Sequence, residues 1–231
     1  MLLTAVLLAA AAAPADDPAE ALFRKMEKKV TDARTLSLTF KADAEPKKLG
    51  GFKGRVVAAP GNKVRYELEG TYRDQPGKMT IISDGTKMRM SDPTGGGSDQ
   101  DTPKEMGPMI RAAVTRTGVL TPIILVFVTR KDDPLNKAEF DREKMFAASG
   151  FKLGKKEAVG GAEAQAVEYA VAVKGMPEPL AVTVWIDTKT DLPVKREVAA
   201  DLAGTKVTIT ETYTDVTVGG KADDKDFVIP K

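Results

Sequence analysis

Two long stretches of the chain alternate apolar and polar side chains with a period of two, and this pattern limits the fold more than any other feature. In TLSLTF, Leu36, Leu38 and Phe40 alternate with Thr35, Ser37 and Thr39. In KVRYELEG, Val64, Tyr66 and Leu68 face one way, while Lys63, Arg65, Glu67 and Glu69 face the other. Such alternation marks a strand with one dry face and one wet face. FKGRVV repeats it, and KMTIISDGTKMRM adds a hairpin around Asp84-Gly85. The period returns at residue 150. EAQAVEYAVAV places Val167, Tyr169, Val171 and Val173 on one face, and LAVTVWID adds Val182, Val184 and Ile186. LPVKREVAADL and TKVTITETYTDVTV form a last pair, with Phe227 and Ile229 of the tail expected on the sheet edge. A change of parity after Asp215 suggests a bulge. Short links throughout imply antiparallel neighbours.

A one-sided meander of this length must curl or be covered. Two segments with helical spacing supply the cover: residues 18–34, with Leu22, Phe23, Met26 and Val30 on one stripe, and an insert at about 104–129. The insert contains Gly118–Val128, GVLTPIILVFV, the most apolar run after the N-terminal segment. It is too short to span a membrane, which takes roughly 20 apolar residues. The expected fold is therefore α+β: a curved antiparallel sheet, an incomplete β-barrel, wrapping helices that cover an apolar concave face. Residues 91–103 read as a solvated loop.

The opening segment MLLTAVLLAAAAAPADDP has the apolar stretch and small-residue cleavage zone of a signal peptide over residues 1–15. Residues 16–231 are then expected as one periplasmic domain. No Cys follows the apolar segment, so a lipid anchor at that site is excluded. The chain has no Cys and no His at all, which removes disulfides, the common zinc and copper sites, and every Ser-His-Asp or Cys-His arrangement. No paired acids stand at a glycosidase-like spacing, no metal or cofactor is called for, and a net charge of +2 is no footprint of nucleic-acid binding. The expected protein is not an enzyme.

The order of several units resembles the LolA/LolB-like superfamily of periplasmic lipoprotein carriers. Gly54 to Tyr66 (GRVVAAPGNKVRY) followed by Ser83–Met88 (SDGTKM) matches its strand, Pro-Asn-like turn and Ser-Asp-Gly hairpin. VWIDTKTDLPVKREV resembles its two-strand unit, and ETYTDVTV with DDKDFVIP its closing segment. Ala59 stands where the carriers have an arginine, so the chain reads as a divergent member. The resemblance implies a half-barrel around an apolar cavity closed by helices, with an acyl lipid or lipoprotein as partner.

The candidate lining follows. Tyr66, Met79, Ile81, Met88, Met90, Met106, Met109 and Val184 would form the cavity wall, with Leu120, Ile123, Ile124 and Phe127 as the inner face of a lid. Thioether side chains suit surfaces that accept varied shapes, although any one Met equally fits ordinary core. Arg65 and Arg196 are candidates for a polar rim. Arg196 falls in phase with Leu192, Val194 and Val198, and Glu211 with Val207, Ile209 and Tyr213. Arg196 could hold a head group, be turned outward by a bulge, or pair with Glu211 across neighbouring strands. Residues 41–73 carry eight basic and four acidic side chains, either a solvated face or a weak docking face. The alternative to a carrier is an envelope sensor or protein-interaction domain with a filled core. Nothing in the sequence requires an oligomer, and a monomer is expected.

Overall fold

The computed structural model describes residues 17–72, 75–91, 96–120, 141–202 and 204–230. The expected signal peptide, residues 1–15, and Ile123, Ile124 and Phe127 of the expected lid lie outside them.

Helix α1 (Pro18–Thr31) begins where Asp17 accepts the Ala19 N–H at 2.9 Å and Pro18 fills the first turn. Ala19, Phe23, Met26 and Val30 form its buried stripe, and Lys28 and Lys29 end it favourably. Six strands follow: β1 (Leu36–Glu45), β2 (Gly51–Ala59), β3 (Lys63–Tyr72), β4 (Gln75–Asp84), β5 (Lys87–Ser91) and β6 (Gly97–Asp101). Next come α2 (Met106–Arg116) and the single turn α3 (Arg142–Met145). The second run is β7 (Phe146–Val159), β8 (Ala162–Val173), β9 (Leu180–Asp187), β10 (Pro193–Leu202) and β11 (Thr205–Val218), with a closing 3-10 turn at Asp224–Phe227.

All eleven strands form one antiparallel sheet in the order β6-β5-β4-β3-β2-β1-β11-β10-β9-β8-β7. Each run is a meander. The seam between them is the pairing of β1 with β11, in which Phe40 faces Tyr213 and Ala42 faces Glu211. β6 and β7 are not paired with each other, so the sheet is an unclosed half-barrel. The expected bulge is present: Asp215 has φ of 54°, and the register slips opposite Ser37 and Thr39. Gly54 of β2 sits tightly between its neighbours β1 and β3, since a Cβ there would stand 1.9 Å from the Glu67 carbonyl oxygen and 3.0 Å from the Phe40 ring.

The helices share one face of the sheet with two apolar clusters. The first joins Leu36, Leu38, Phe40, Val56 and Leu68 to Ile110 and Val114 of α2. The second joins Phe23 and Met26 of α1 and Ala112 and Ala113 of α2 to the inner residues of β7–β10.

Three expectations are corrected. Residues 97–101, read as loop, form edge strand β6, whose partner β5 supplies the ladder that its polar sequence GSDQD does not advertise. The first helix stops at Thr31, where the Asp32 N–H closes on Lys28. The tail does not dock on an edge: Phe227 is buried against Val57 and Ala59 on the face opposite the helices. There Asp224 pairs with Lys63 at 2.8 Å and Asp226 with Arg55 at 3.2 Å. Part of the excess basic charge of residues 41–73 is thus met by the chain's own tail.

Candidate functional site

The candidate wall comes together as the sheet register requires. Leu68 faces Met79, Tyr66 faces Ile81, Ile81 faces Met90, and Ser83 faces Met88. Their alternate positions bring Tyr66, Met79, Ile81 and Met88 to one face, where Met106 of α2 and Val119 meet them in one buried cluster. Met90 and Leu120 are partly buried and pack against it. Met109 is half-buried outside the cluster, and Val184 belongs to the second cluster, across the sheet.

The two rim residues lie elsewhere. Arg65 is on the opposite face, where it bonds Glu67 at 2.6 Å and the Asp226 carbonyl at 3.1 Å. The parity of β3 dictates this, because Tyr66 next to it points inward. Arg196 points inward and is wholly buried, despite a register irregularity between Pro193 and Lys195. It is no rim residue. Its guanidinium donates to the carbonyls of Val114 and, at 2.6 Å, Thr115, the last turn of α2. A cation at a helix C-terminus satisfies orphan carbonyls and complements the helix dipole.

Glu211, the register partner of Arg196, holds the next residues of the same turn. Its carboxylate accepts the N–H of Val119 at 2.9 Å and of Leu120 at 3.1 Å, and the Tyr213 hydroxyl. Arg196 in turn donates to the Tyr213 oxygen at 3.3 Å. The Tyr66 hydroxyl donates to the Val119 carbonyl, and Tyr169 donates to the Arg116 carbonyl at 2.9 Å. Residues 114–120 are therefore gripped from β3, β8, β10 and β11. Gly118, with φ of 95°, fits only because it lacks a side chain: a Cβ there would lie 2.4 Å from Glu211. Burial raises the pKa of Glu211 above the ordinary carboxylate value, holds Tyr66 and Tyr213 well above the usual phenol value, and brings Tyr169 to about 12. Apart from the bonds through the Tyr213 hydroxyl and the unpartnered Arg196 Nε, this bracket bonds main chain, and so it positions the turn after α2.

A second buried group lies at the same, C-terminal end of α2. Arg116 bonds both Glu27 oxygens, at 2.5 and 3.2 Å, and Glu143 at 2.9 Å, so that α1, α2 and α3 are tied at one point. Burial opposes its charge, yet the bonds from Glu143 and Glu27 outweigh that and raise its pKa. Sequence reasoning missed this group. Its only signal was Glu27, at helical spacing from Phe23 and Val30 within the apolar stripe. Among the described residues no cluster of acids could hold a metal ion. No described helix is long and apolar enough to cross a membrane.

This geometry defines a class, the unclosed antiparallel half-barrel with helices on one face. Among solved structures, LprF from Mycobacterium bovis shares it at 12% identity and a TM-score of 0.52, over 89% of this chain and 94% of that one. A Pseudomonas aeruginosa MucA/MucB complex matches at 14% identity and a TM-score of 0.43, over 93% and 62%. The LolA superfamily protein NE2245 from Nitrosomonas europaea matches at 9% and 0.31, over 91% and 97%. At these identities the likeness to LprF is one of fold. No protein-family model and no curated protein matches the sequence.

Proposed function

We propose that the chain is an exported, non-catalytic binder or carrier of acyl lipid or lipidated protein in the cell envelope, working as a periplasmic monomer. Residues 1–15 direct export, and residues 16–231 form one half-barrel domain whose ligand space is the concave, helix-bearing face. The observation that carries this reading is the methionine-rich wall, in which Met79, Met88 and Met106 lie with Tyr66 and Ile81 and are margined by Met90 and Leu120. Thioether chains adapt to varied apolar shapes. Each acyl methylene moved from water into such a wall contributes about 0.8 kcal/mol. In this reading Leu120, Ile123, Ile124 and Phe127 serve as the lid, and ligand takes the place of side chains that otherwise fill the wall.

The test is native mass spectrometry of the protein purified from envelopes without detergent, followed by lipid extraction. Acyl lipid should co-purify and be lost in Leu120→Asp and Ile124→Asp variants that still fold. A clean apo mass from every preparation would sink the carrier reading.

One observation favours the second reading, a protein-interaction domain on the same fold. The wall is already filled by the chain's own side chains, with Met88 and Met106 each only 1% exposed. A partner would then be an envelope protein bound to the outer surface, and envelope crosslinking would recover it while lipid extraction stayed empty.

A further inference from the structure

We propose that a groove between the last turn of α1, the middle of α2 and α3 binds a phosphate-class oxyanion, with Arg111 as its principal contact. The groove has a volume of about 640 Å3 and is lined by Thr31, Pro108, Arg111, Ala112 and residues 141–144. That is within the range of small-ligand sites, roughly 300–1,000 Å3.

The first observation is that Arg111 has no counter-charge among the described residues. Its Nη2 donates to the Arg34 carbonyl at 2.9 Å and the Ala58 carbonyl at 3.4 Å. Its Nε is buried with no hydrogen-bond partner, and no carboxylate among the described residues lies within ion-pair distance. Burial accordingly holds its pKa below the usual guanidinium value. Arg111 is half-buried, so its charge is partly desolvated without a partnering acid.

The second observation is that Arg142, which lines the same groove, also has a buried Nε without a hydrogen-bond partner. The nearest carboxylate oxygens belong to Glu143 at 3.7 Å and Glu27 at 4.0 Å, beyond hydrogen-bond reach. The two acids lining the groove are already engaged. Asp141 accepts the N–H of Glu143 and Lys144 and pairs with the Lys144 ammonium at 3.2 Å, and Glu143 is held by Arg116. The buried Nε atoms face no solvent, so an anion would meet the terminal guanidinium nitrogens of Arg111 and Arg142 beside the Lys144 ammonium, a set that suits the double charge of a phosphate monoester and matches its oxygens in a fork geometry. The anion is either free phosphate or a phosphate head group. The head-group form rests on the acyl-binding reading above; the free-anion form does not.

Calorimetric titration of the full chain in low-salt chloride buffer separates these. The probes are inorganic phosphate, dihexanoyl phosphatidic acid and dihexanoyl phosphatidylcholine, the lipids below their micelle concentrations. Phosphate and phosphatidic acid should bind saturably. Arg111→Gln should weaken both at least tenfold and Lys144→Gln severalfold, while Lys53→Gln on the opposite face leaves them unchanged. Phosphatidic acid tighter than phosphate identifies a head-group site. Equal affinities identify a free-anion site and count against the acyl reading, with the groove still in place. Absence of saturable binding by either anion, or binding indifferent to both groove substitutions, overturns the proposal. If Arg111→Gln does not fold, the exposed Lys144→Gln decides.

Discussion

The two apolar clusters are built on the same strand pattern yet have different substance. The cluster on β1–β5 contains Met79, Met88 and Met106 and one edge-on aromatic pair, Phe40 and Tyr66, at 6.0 Å. The cluster on β7–β10 contains no methionine from those strands' inner faces. Its strands contribute Val167, Val171, Val173, Val182, Val184 and Val198 around the ring triad Phe23, Phe151 and Tyr169, while its methionines, Met26 and Met145, come from α1 and α3. Those rings stand 4.7 to 5.7 Å apart. Valine is stiff at χ1, whereas methionine has three rotatable bonds. The sheet wall of the second half is therefore the stiffer at its side chains, and the methionines of β4 and β5 make that of the first the more adaptable. Helix α2 lies between them, giving Ile110 and Val114 to the adaptable half and Ala112 and Ala113 to the stiff one.

The contrast can be broken most forcefully in the stiff half. Phe23→Ala removes the centre of the ring triad and should cost about 3–5 kcal/mol, read from the urea midpoint. Gly118→Ala attacks the bracket between the halves, through both its positive φ and the contact with Glu211. A loss of about 1–3 kcal/mol is expected. Combining it with Glu211→Ala should give less than the sum of the two losses, and strict additivity would show that the Gly118–Glu211 contact does not matter. A milder pair of changes compares the halves directly. Val171→Leu in the stiff half should cost about 1–3 kcal/mol by overpacking, while Met88→Leu should cost under about 1.5 kcal/mol. Equal losses would erase the distinction.

The smallest effect is one of pH. The folded pKa of Glu211 is raised by burial, so its contribution to stability is present below the ordinary carboxylate pKa and is lost as pH rises through the folded value. The stability of the wild type relative to Glu211→Gln should therefore increase as pH falls from 7 to 4. Glu143 behaves oppositely. Its bond to Arg116 lowers its pKa, so its contribution is present above the ordinary value and fades as pH falls through the folded one. Denaturation curves of both variants at pH 7 and pH 4 should differ in sign, and the same sign in both would refute the assignment.

Much of the sheet was legible because burial on one face forces a period of two, and even the bulge at Asp215 left its mark as a change of parity. The common buried face of Tyr66, Met79, Ile81 and Met88 was legible for the same reason. Arg196 and Glu211 announced themselves as polar residues in apolar phase. What they hold was not legible, because their partners are main-chain groups of α2 and of the turn after it, and these carry no side-chain signal. Strand β6 was missed because an edge strand with no buried face has no apolar alternation to show. The docking of Phe227 on the outer face was missed because it depends on Val57 and Ala59, two small residues that the alternation rule assigns to solvent.

The seam between β1 and β11 has a further consequence. Lys41 pairs with Thr212, and Asp43 with Thr210. The middle of the sheet is thus joined by the pairing most distant along the chain, while the pairings at its margins are nearly all between sequence neighbours. High contact order slows folding. A nascent chain ending before residue 205 can form two separate ribbons but has nothing to bond along the β1 edge that β11 will occupy. Topology therefore predicts the order of events: hairpins first, seam last, with folding rates expected to respond to changes in β1 and β11 more than to changes at either margin.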